Sequence, residues 1–271
     1  MEEFAVFGNP VAHSKSPIIH NFFSEQTGIK YNYGKVFVPI NKFEEKLDDF
    51  FYRGGKGGNI TLPFKRKAYH KVHELTERAK ICGSVNTIKR LNGNRLLGDN
   101  TDGIGLILDL ERLQFIKNGS HVLVIGAGGA ARGIITALLR YGCRITITNR
   151  TFSKADKLSE SFAAIGNINS LMLESIHSVE YDLIINATSS GITGEFPFIS
   201  KNIFKQNVFC YDLLYSVNST PFLTLAKAQG VLHYTDGIGM LVGQAAFAFK
   251  LWHGILPNIS YVIKRLKKIL I

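Results

Sequence analysis

The chain has 271 residues, 45% hydrophobic and 20% charged, which suits two globular domains of ordinary size. Its net charge is +11, but the basic residues form no stripe interleaved with aromatics; this argues against a nucleic-acid partner and for anionic small ligands. No apolar run reaches the roughly 18–20 residues needed to cross a bilayer, and the acidic start MEEF does not read as a secretory signal. Cys82, Cys143 and Cys210 offer neither a disulfide framework nor metal-ligand spacing, so the expectation is a cytoplasmic protein with no membrane partner and no metal.

In chain order, FAVFG (4–8) reads as a strand and SPIIHNFFSEQTG (16–28) as a helix ended by glycine. YNYGKVFVPI (31–40) is a strand, Lys42 to Tyr52 a helix and GGNITL (57–62) a strand. SVNTIKRLNGNRLLG (84–98) reads as a hairpin turning at Asn92-Gly93. From Ser120 the pattern becomes strand, glycine turn, helix, strand in HVLVIGAGGAARGIITALLRYGCRITITNR, the opening of a parallel α/β sheet. Strand candidates follow at 181–188, 207–214 and 231–235, and GMLVGQAAFAFKLWHG from Gly239 is helical. ISYVIKRLKKIL carries Lys264, Arg265, Lys267 and Lys268, and reads as a terminal helix docking its apolar face rather than one lying on a membrane.

Gly126-x-Gly128-x-x-Ala131 follows an apolar strand and opens a helix, the setting in which this pattern binds a dinucleotide. Gly126 allows the tight turn, Gly128 lets the backbone approach a pyrophosphate, and Ala131 allows close helix–strand packing. The helix start supplies unpaired N–H groups for phosphate oxygens. In a NAD-binding unit an acidic residue ends the second strand and takes the ribose hydroxyls. Here Asn149-Arg150-Thr151-Phe152-Ser153-Lys154 stands there, with two cations and no acid, which points to the 2′-phosphate of NADP. Thr151 or Ser153 could alternatively serve as a helix cap.

Four polar clusters lie outside this unit. GNPVAHSKSPIIHN (8–21) holds Ser14 and Ser16 ahead of a helix begun by Pro17; capping by Ser16 accounts for one hydroxyl and leaves Ser14 over. NITLPFK (59–65) ends a strand at Thr61 and presents Lys65 after Pro63, with Arg66 and Lys67 beside it as ordinary surface charges. SVNT and GDNTDG (84–103) place Asp102 where it could cap the next helix. Gln244 is the lone polar side chain in GMLVGQAAFAF (239–249), satisfied either by backbone or by a ligand.

Taken together these residues resemble shikimate dehydrogenases over nearly the whole chain. GNPxxHSxSPxxHN, NxTxPxK, GxxNT, GxNTDGxG, GAGGAAR, NRT, DLIINATSSG and GxxMLxxQxAxxF occur in order. The resemblance implies an α/β fold with a substrate domain (1–102), a Rossmann NADP-binding domain (103–237) and C-terminal helices (238–271) packing on the substrate domain. It implies reversible reduction of 3-dehydroshikimate to shikimate by NADPH, in the pathway to aromatic amino acids, by a monomer or homodimer. Lys65 and Asp102 would be the catalytic pair; Ser14 and Ser16, with Tyr215, would take the substrate carboxylate; Thr61, Lys65, Asn86, Asp102 and Gln244 would take the ring hydroxyls. NADP would meet Gly126, Ala127, Gly128, Gly129, Ala130, Asn149, Arg150, Thr151, Phe152, Ser153, Lys154, Thr188, Leu213 and Gly237, with Glu77 near the nicotinamide end. Two positions depart from the family: Leu213 replaces a common methionine and Val217 a common proline.

A ketone receiving hydride develops negative charge on oxygen, so a lysine ammonium aimed there stabilises the transition state and supplies the proton. A neighbouring carboxylate can hold that lysine and accept from a ring hydroxyl. A quinate/shikimate dehydrogenase using NAD, or a binding protein that keeps the fold without turnover, are the alternatives; the retention of Lys65 and Asp102 argues against the second.

Overall fold

A computed structural model of the protein describes residues 1–188, 199–216 and 218–270. Val217 and the end of DLIINATSSG, from Ser189, lie outside the described residues. The chain divides into two compact units, residues 1–105 with 242–270, and residues 106–241.

The first unit begins with β1 (Glu2–Gly8), α1 (Ser16–Thr27), β2 (Tyr31–Phe37), α2 (Phe43–Tyr52), β3 (Gly57–Ile60) and α3 (Lys65–Lys71). It continues through β4 (Glu74–Leu75), α4 (Glu77–Cys82), β5 (Thr87–Arg90) and β6 (Leu96–Asp99) into α5 (Asp102–Leu113). Its sheet has the order β2-β1-β3-β5-β6-β4, with β1 parallel to both β2 and β3, and β5 antiparallel to β3 and β6. Period-two apolar residues put Ala5, Phe7, Ile60 and Ile88 in one core with Val38, Phe43, Leu47 and Phe64. Gly28 ends α1 in the left-handed region, as its position in the sequence implied. The β5–β6 connection is longer than a two-residue turn. Leu91 N–H bonds to Arg95 O at 2.8 Å, and both Gly93 and Asn94 have positive φ.

The second unit holds β7 (His121–Ile125), α6 (Gly129–Arg140), β8 (Arg144–Thr148), α7 (Phe152–Phe162) and β9 (Ile168–Ser170). After these come β10 (Leu183–Asn186), β11 (Phe209–Asp212), α8 (Pro221–Ala228) and β12 (His233–Thr235). All pairings among these strands are parallel and the order is β12-β11-β10-β7-β8-β9, the doubly wound Rossmann arrangement. Its central strands are apolar on both faces: Val122, Val124, Leu183 and Ile185 enter one core, while Leu123, Ile125 and Ile184 enter another. Such strands read as continuous apolar runs, which is why they were recognisable as strands.

Two last helices, α9 (Ile238–His253) and α10 (Ile259–Leu270), end the described chain. From Val242 onward they belong to the first unit. The Trp252 indole donates to Ile88 O at 3.0 Å and lies so close to β3 that a Cβ at Gly57 would meet it at 2.5 Å. Lys89 Nζ donates to Leu251 O at 2.7 Å. Helix α10 buries Val262, Ile263 and Leu266 and packs on α1, where Arg265 pairs with Glu25 and lies 4.0 Å over the Phe22 ring. The basic amphipathic segment thus docks its apolar face on α1. Among the described residues no helix is long and apolar enough to cross a membrane, and no cluster of three His, Cys, Asp or Glu could hold a metal ion.

Candidate active site

In the first unit, Lys65 opens α3 and Asp102 opens α5. Lys65 Nζ lies 2.6 Å from Asp102 Oδ2, with the lysine side chain 21% exposed and the aspartate 9%. The carboxylate is thus held inside while the ammonium keeps a path to a ligand. Asp102 Oδ1 accepts from Asn86 Nδ2 at 2.7 Å, so both carboxylate oxygens are engaged.

Local backbone bonds explain why these three residues meet. Val85 N–H bonds to Lys65 O, Asn86 N–H to Asp99 O, and Ile60 N–H to Asn86 O, tying α3, β3 and the approach to α5 around one residue. Asn100 Oδ1 accepts Asp102 N–H at 3.1 Å, and Asn86 Oδ1 accepts Thr101 N–H at 2.8 Å, so the N-T-D turn is held by one of its own side chains and by Asn86. Beneath it, buried Asp99 accepts from both Nε and Nη2 of Arg78, from Thr76 Oγ1 at 2.6 Å and from Asn100 N–H at 2.7 Å. Sequence reasoning passed over Arg78, Asp99, Asn59 and Thr87. The only hint was that Asn59, Thr87 and Asp99 sit inside segments already singled out.

Ser14 Oγ donates to Ser16 Oγ at 3.2 Å and accepts Ser16 N–H at 3.3 Å. Ser16 does not cap α1: Lys15 occupies the capping position and no side chain bonds there. The helix starts one residue earlier than a Ser16 cap requires, which leaves both hydroxyls turned toward each other. Thr61 N–H bonds to Phe7 O at 2.9 Å, fixing the strand end before Pro63. Gln244 is half-buried, and its backbone lies against the first turn of α5, where a Cβ at Gly105 would be 2.4 Å from Gln244 N. Glu77 opens α4 in this unit, whereas the other residues expected at the dinucleotide belong to the second.

In the second unit, Gly126 has φ +113°, and a Cβ there would meet Ala187 C at 2.9 Å. Glycine is therefore required where β7 and β10 diverge, the switch point at which ligands bind this sheet. Added Cβ atoms at Gly128 and Gly129 would meet nothing within 4 Å. The start of α6 has no side-chain cap, and neither α6 nor α7 has an acid in its first turn. A backbone cradle that is open, uncapped and free of acids fits a pyrophosphate. Asn149 Oδ1 accepts Ala127 N–H at 3.3 Å and its Nδ2 donates to Thr151 O at 2.9 Å, joining the glycine turn to the start of α7. Thr151 occupies the α7 capping position without a side-chain cap bond, so capping does not explain the hydroxyl. Arg150, Ser153 and Lys154 are exposed and Phe152 half-buried.

Thr188, Leu213 and Gly237 meet around two buried side chains. Asn186 Oδ1 accepts from Thr188 N and Oγ1, Leu213 N–H bonds to Asn186 O, and Gly237 N–H bonds to Leu214 O. Asp212 accepts from Asn186 Nδ2 at 3.0 Å, Leu214 N–H at 3.0 Å and Thr220 Oγ1 at 2.5 Å. Tyr215, half-buried, follows on the same segment, and burial raises its phenol above the ordinary value. Burial likewise pushes the Asp212 carboxyl up to about 6, against the opposing pull of those three donors. Because the folded value exceeds the unfolded one of about 4, this group's contribution to stability is complete below pH ~4 and is lost as pH rises through about 6. Asp212→Asn is expected to remove that loss, so that between pH ~4 and ~6 the unfolding free energy of the variant gains on that of the wild type by roughly 2–3 kcal/mol, and keeps that gain above pH ~6. Parallel stability–pH curves in denaturant titrations would refute the burial of a titrating carboxyl.

The chain matches the shikimate dehydrogenase substrate binding domain over residues 6–88, shikimate / quinate 5-dehydrogenase over 110–203, and the shikimate 5'-dehydrogenase C-terminal domain over 237–267. An Ael1 enzyme from Pseudomonas putida is 36% identical, with 98% of each chain covered and a TM-score of 0.92. Shikimate 5-dehydrogenase from Thermus thermophilus, solved with NADP(H) and shikimate, is 33% identical over 99% of both chains, with a TM-score of 0.88. The enzyme of Listeria monocytogenes, solved with shikimate and NAD, is 26% identical over 98% of this chain and 96% of that one, also at 0.88. The dehydrogenase-type turn and the substrate-domain motifs thus belong to one lineage, and the chain is a member of the shikimate dehydrogenase family of NADP-dependent oxidoreductases.

Proposed function

We propose that this protein interconverts 3-dehydroshikimate and shikimate with NADP(H), as a step toward the aromatic amino acids, and that Lys65 and Asp102 are its catalytic pair. The carrying observation is the 2.6 Å contact between Lys65 Nζ and Asp102 Oδ2, with Asn86 on the other oxygen. NADP, when bound on the glycine turn, supplies or accepts the hydride. The Lys65 ammonium gives its proton to the oxygen that gains charge in reduction, and in oxidation the neutral Lys65 amine takes the hydroxyl proton. Asp102 orients that ammonium and accepts from a ring hydroxyl. Ser14 and Ser16, assisted by Tyr215, donate to the substrate carboxylate; Thr61, Asn86 and Gln244 take the remaining hydroxyls. On the cofactor side, Gly126 to Ala130 and Asn149 to Lys154 hold the phosphates and adenosine, Thr188, Leu213 and Gly237 face the ring, and Glu77 is the weakest member of the set.

The test is four initial rates: shikimate and quinate, each with NADP and NAD, followed by absorbance of the reduced nicotinamide. Shikimate with NADP should be the fastest pair. A chain that prefers quinate and NAD is instead a broader quinate/shikimate dehydrogenase, a reading kept in view by the NAD in the Listeria structure. The exposed Arg150 beside a helix start without acids favours NADP. Arg150→Ala should reduce the NADP-over-NAD ratio of kcat/KM by about tenfold, the worth of one charged hydrogen bond. If the ratio holds, another group reads the 2′-phosphate.

A further inference from the structure

A polar chain, buried in its middle, runs through the first unit from the seryl pair to the lysine–aspartate couple. At one end Ser14 bonds to Ser16, and the Tyr33 hydroxyl lies beside Ser16. Tyr33 donates to Asn59 Oδ1 at 2.6 Å. Asn59 Nδ2 donates to Thr87 Oγ1 at 3.0 Å and to Asn86 O at 3.2 Å. Thr87 Oγ1 donates to Asn86 Oδ1 at 2.9 Å, and Asn86 Nδ2 to Asp102 Oδ1 at 2.7 Å. Asn59, Thr87 and Asn86 are each at most 6% exposed. The links come from β2, β3 and β5, held in register through β1: Tyr33 on β2 pairs with Phe4 on β1, Phe4 with Gly57 on β3, and Asn59 with Thr87 on β5.

Asn59, Thr87 and Asn86 have no solvent to fall back on, so a change at a link to them leaves a neighbour with an unmade bond rather than a water. Tyr33 is the link whose hydroxyl can be removed with least disturbance. Its ring stacks on His20 with centroids 4.0 Å apart and planes 10° from parallel, and burial keeps His20 neutral by lowering it to about 3.

We propose that Tyr33 is a positioning residue: through Asn59, Thr87 and Asn86 its hydroxyl sets the seryl pair and the Lys65–Asp102 couple in one fixed spacing, so that the carboxylate end and the reacting end of a substrate are gauged by the same polar chain. This rests on the function proposed above.

Tyr33→Phe keeps the stacking and deletes only the donor. It is expected to raise KM for shikimate about tenfold and lower kcat several-fold, the scale of one buried hydrogen bond, while KM for NADP stays unchanged. Thr87→Val breaks the chain at another link and should lower kcat in the same sense. Combined with Ser16→Ala, the Tyr33→Phe effect on KM should be less than multiplicative, because both act on one network. A merely structural tyrosine would loosen both substrates alike and multiply independently with Ser16→Ala; either result overturns the proposal. So does an unchanged shikimate KM and kcat in Tyr33→Phe. Failure of the wild-type chain to oxidise shikimate overturns the functional reading and this proposal with it, whereas a normal wild type beside an indifferent variant overturns this proposal alone.

Discussion

Lys65→Ala is expected to lower kcat for shikimate oxidation by roughly two to four orders of magnitude, the usual cost of removing a general acid or base, with little change in KM. The ammonium is 2.6 Å from Asp102 and 21% exposed, so it is held by a partner yet reachable. The substrate carboxylate and ring hydroxyls, in the proposed arrangement, retain their partners without it; binding survives and turnover does not. Lys65→Arg sharpens the test. A guanidinium restores the charge beside Asp102 but holds its proton to pH above ~12, so it should rescue little of the rate. Strong rescue by arginine would mean that Lys65 acts by charge alone. A rise confined to KM in Lys65→Ala would make it a binding residue and sink the catalytic assignment.

The largest expected effect on stability is at Arg78. Asp99 is completely buried and takes two bonds from the guanidinium. Removing one member of a buried pair leaves an uncompensated charge, which costs about 3–5 kcal/mol. With 36% of the Arg78 side chain in solvent, water can reach part of the vacated space, and the lower end, about 3 kcal/mol, is the expectation for Arg78→Ala. That corresponds to a fall in thermal midpoint of roughly 6–12 °C. Because Asp99 O holds Asn86 N–H and Asp99 Oδ1 holds Asn100 N–H, the loss should be accompanied by a lower kcat even well below the midpoint. A variant with the wild-type midpoint would show that Asp99 does not depend on this partner.

How much of this was readable in advance depended on the kind of constraint. The glycine turn, the N-T-D turn and the strand end before Pro63 were legible because each leaves a local signature, even where distant residues complete it: a glycine at positive φ for Gly126, and the side chain of Asn100 bonding two residues on for Asp102. The two-sided apolar strands of the second unit were legible for the same reason. Bounds drifted where local rules competed. Ser16 reads as a cap, yet α1 starts on it; Asn92-Gly93 reads as a complete turn, yet Asn94 also takes a left-handed conformation. Hidden were the pairings of groups that the tertiary fold brings together. Tyr33, Asn59 and Thr87 meet only because β2, β1, β3 and β5 align in one particular way, and Arg78 and Asp99 lie 21 residues apart. Asp212 was hidden differently: an aspartate after an apolar strand looks like a solvated strand end, and only its burial among three donors shows otherwise.

The first unit is assembled from both ends of the chain, leaving off after Gly105 and resuming at Val242. During synthesis its opening strands therefore emerge without the tryptophan that packs against Gly57 and Ile88. At about 5–20 residues per second, translation of the intervening unit takes on the order of ten seconds. Through that interval the first sheet, all of whose strands are already made, lacks the helix that covers Gly57 and Ile88, while the later unit, being contiguous, can complete itself as soon as it clears the ribosome. Nascent chains stalled before Trp252 are thus the ones a chaperone should hold longest, and a stop codon in that last stretch would damage the segment made first.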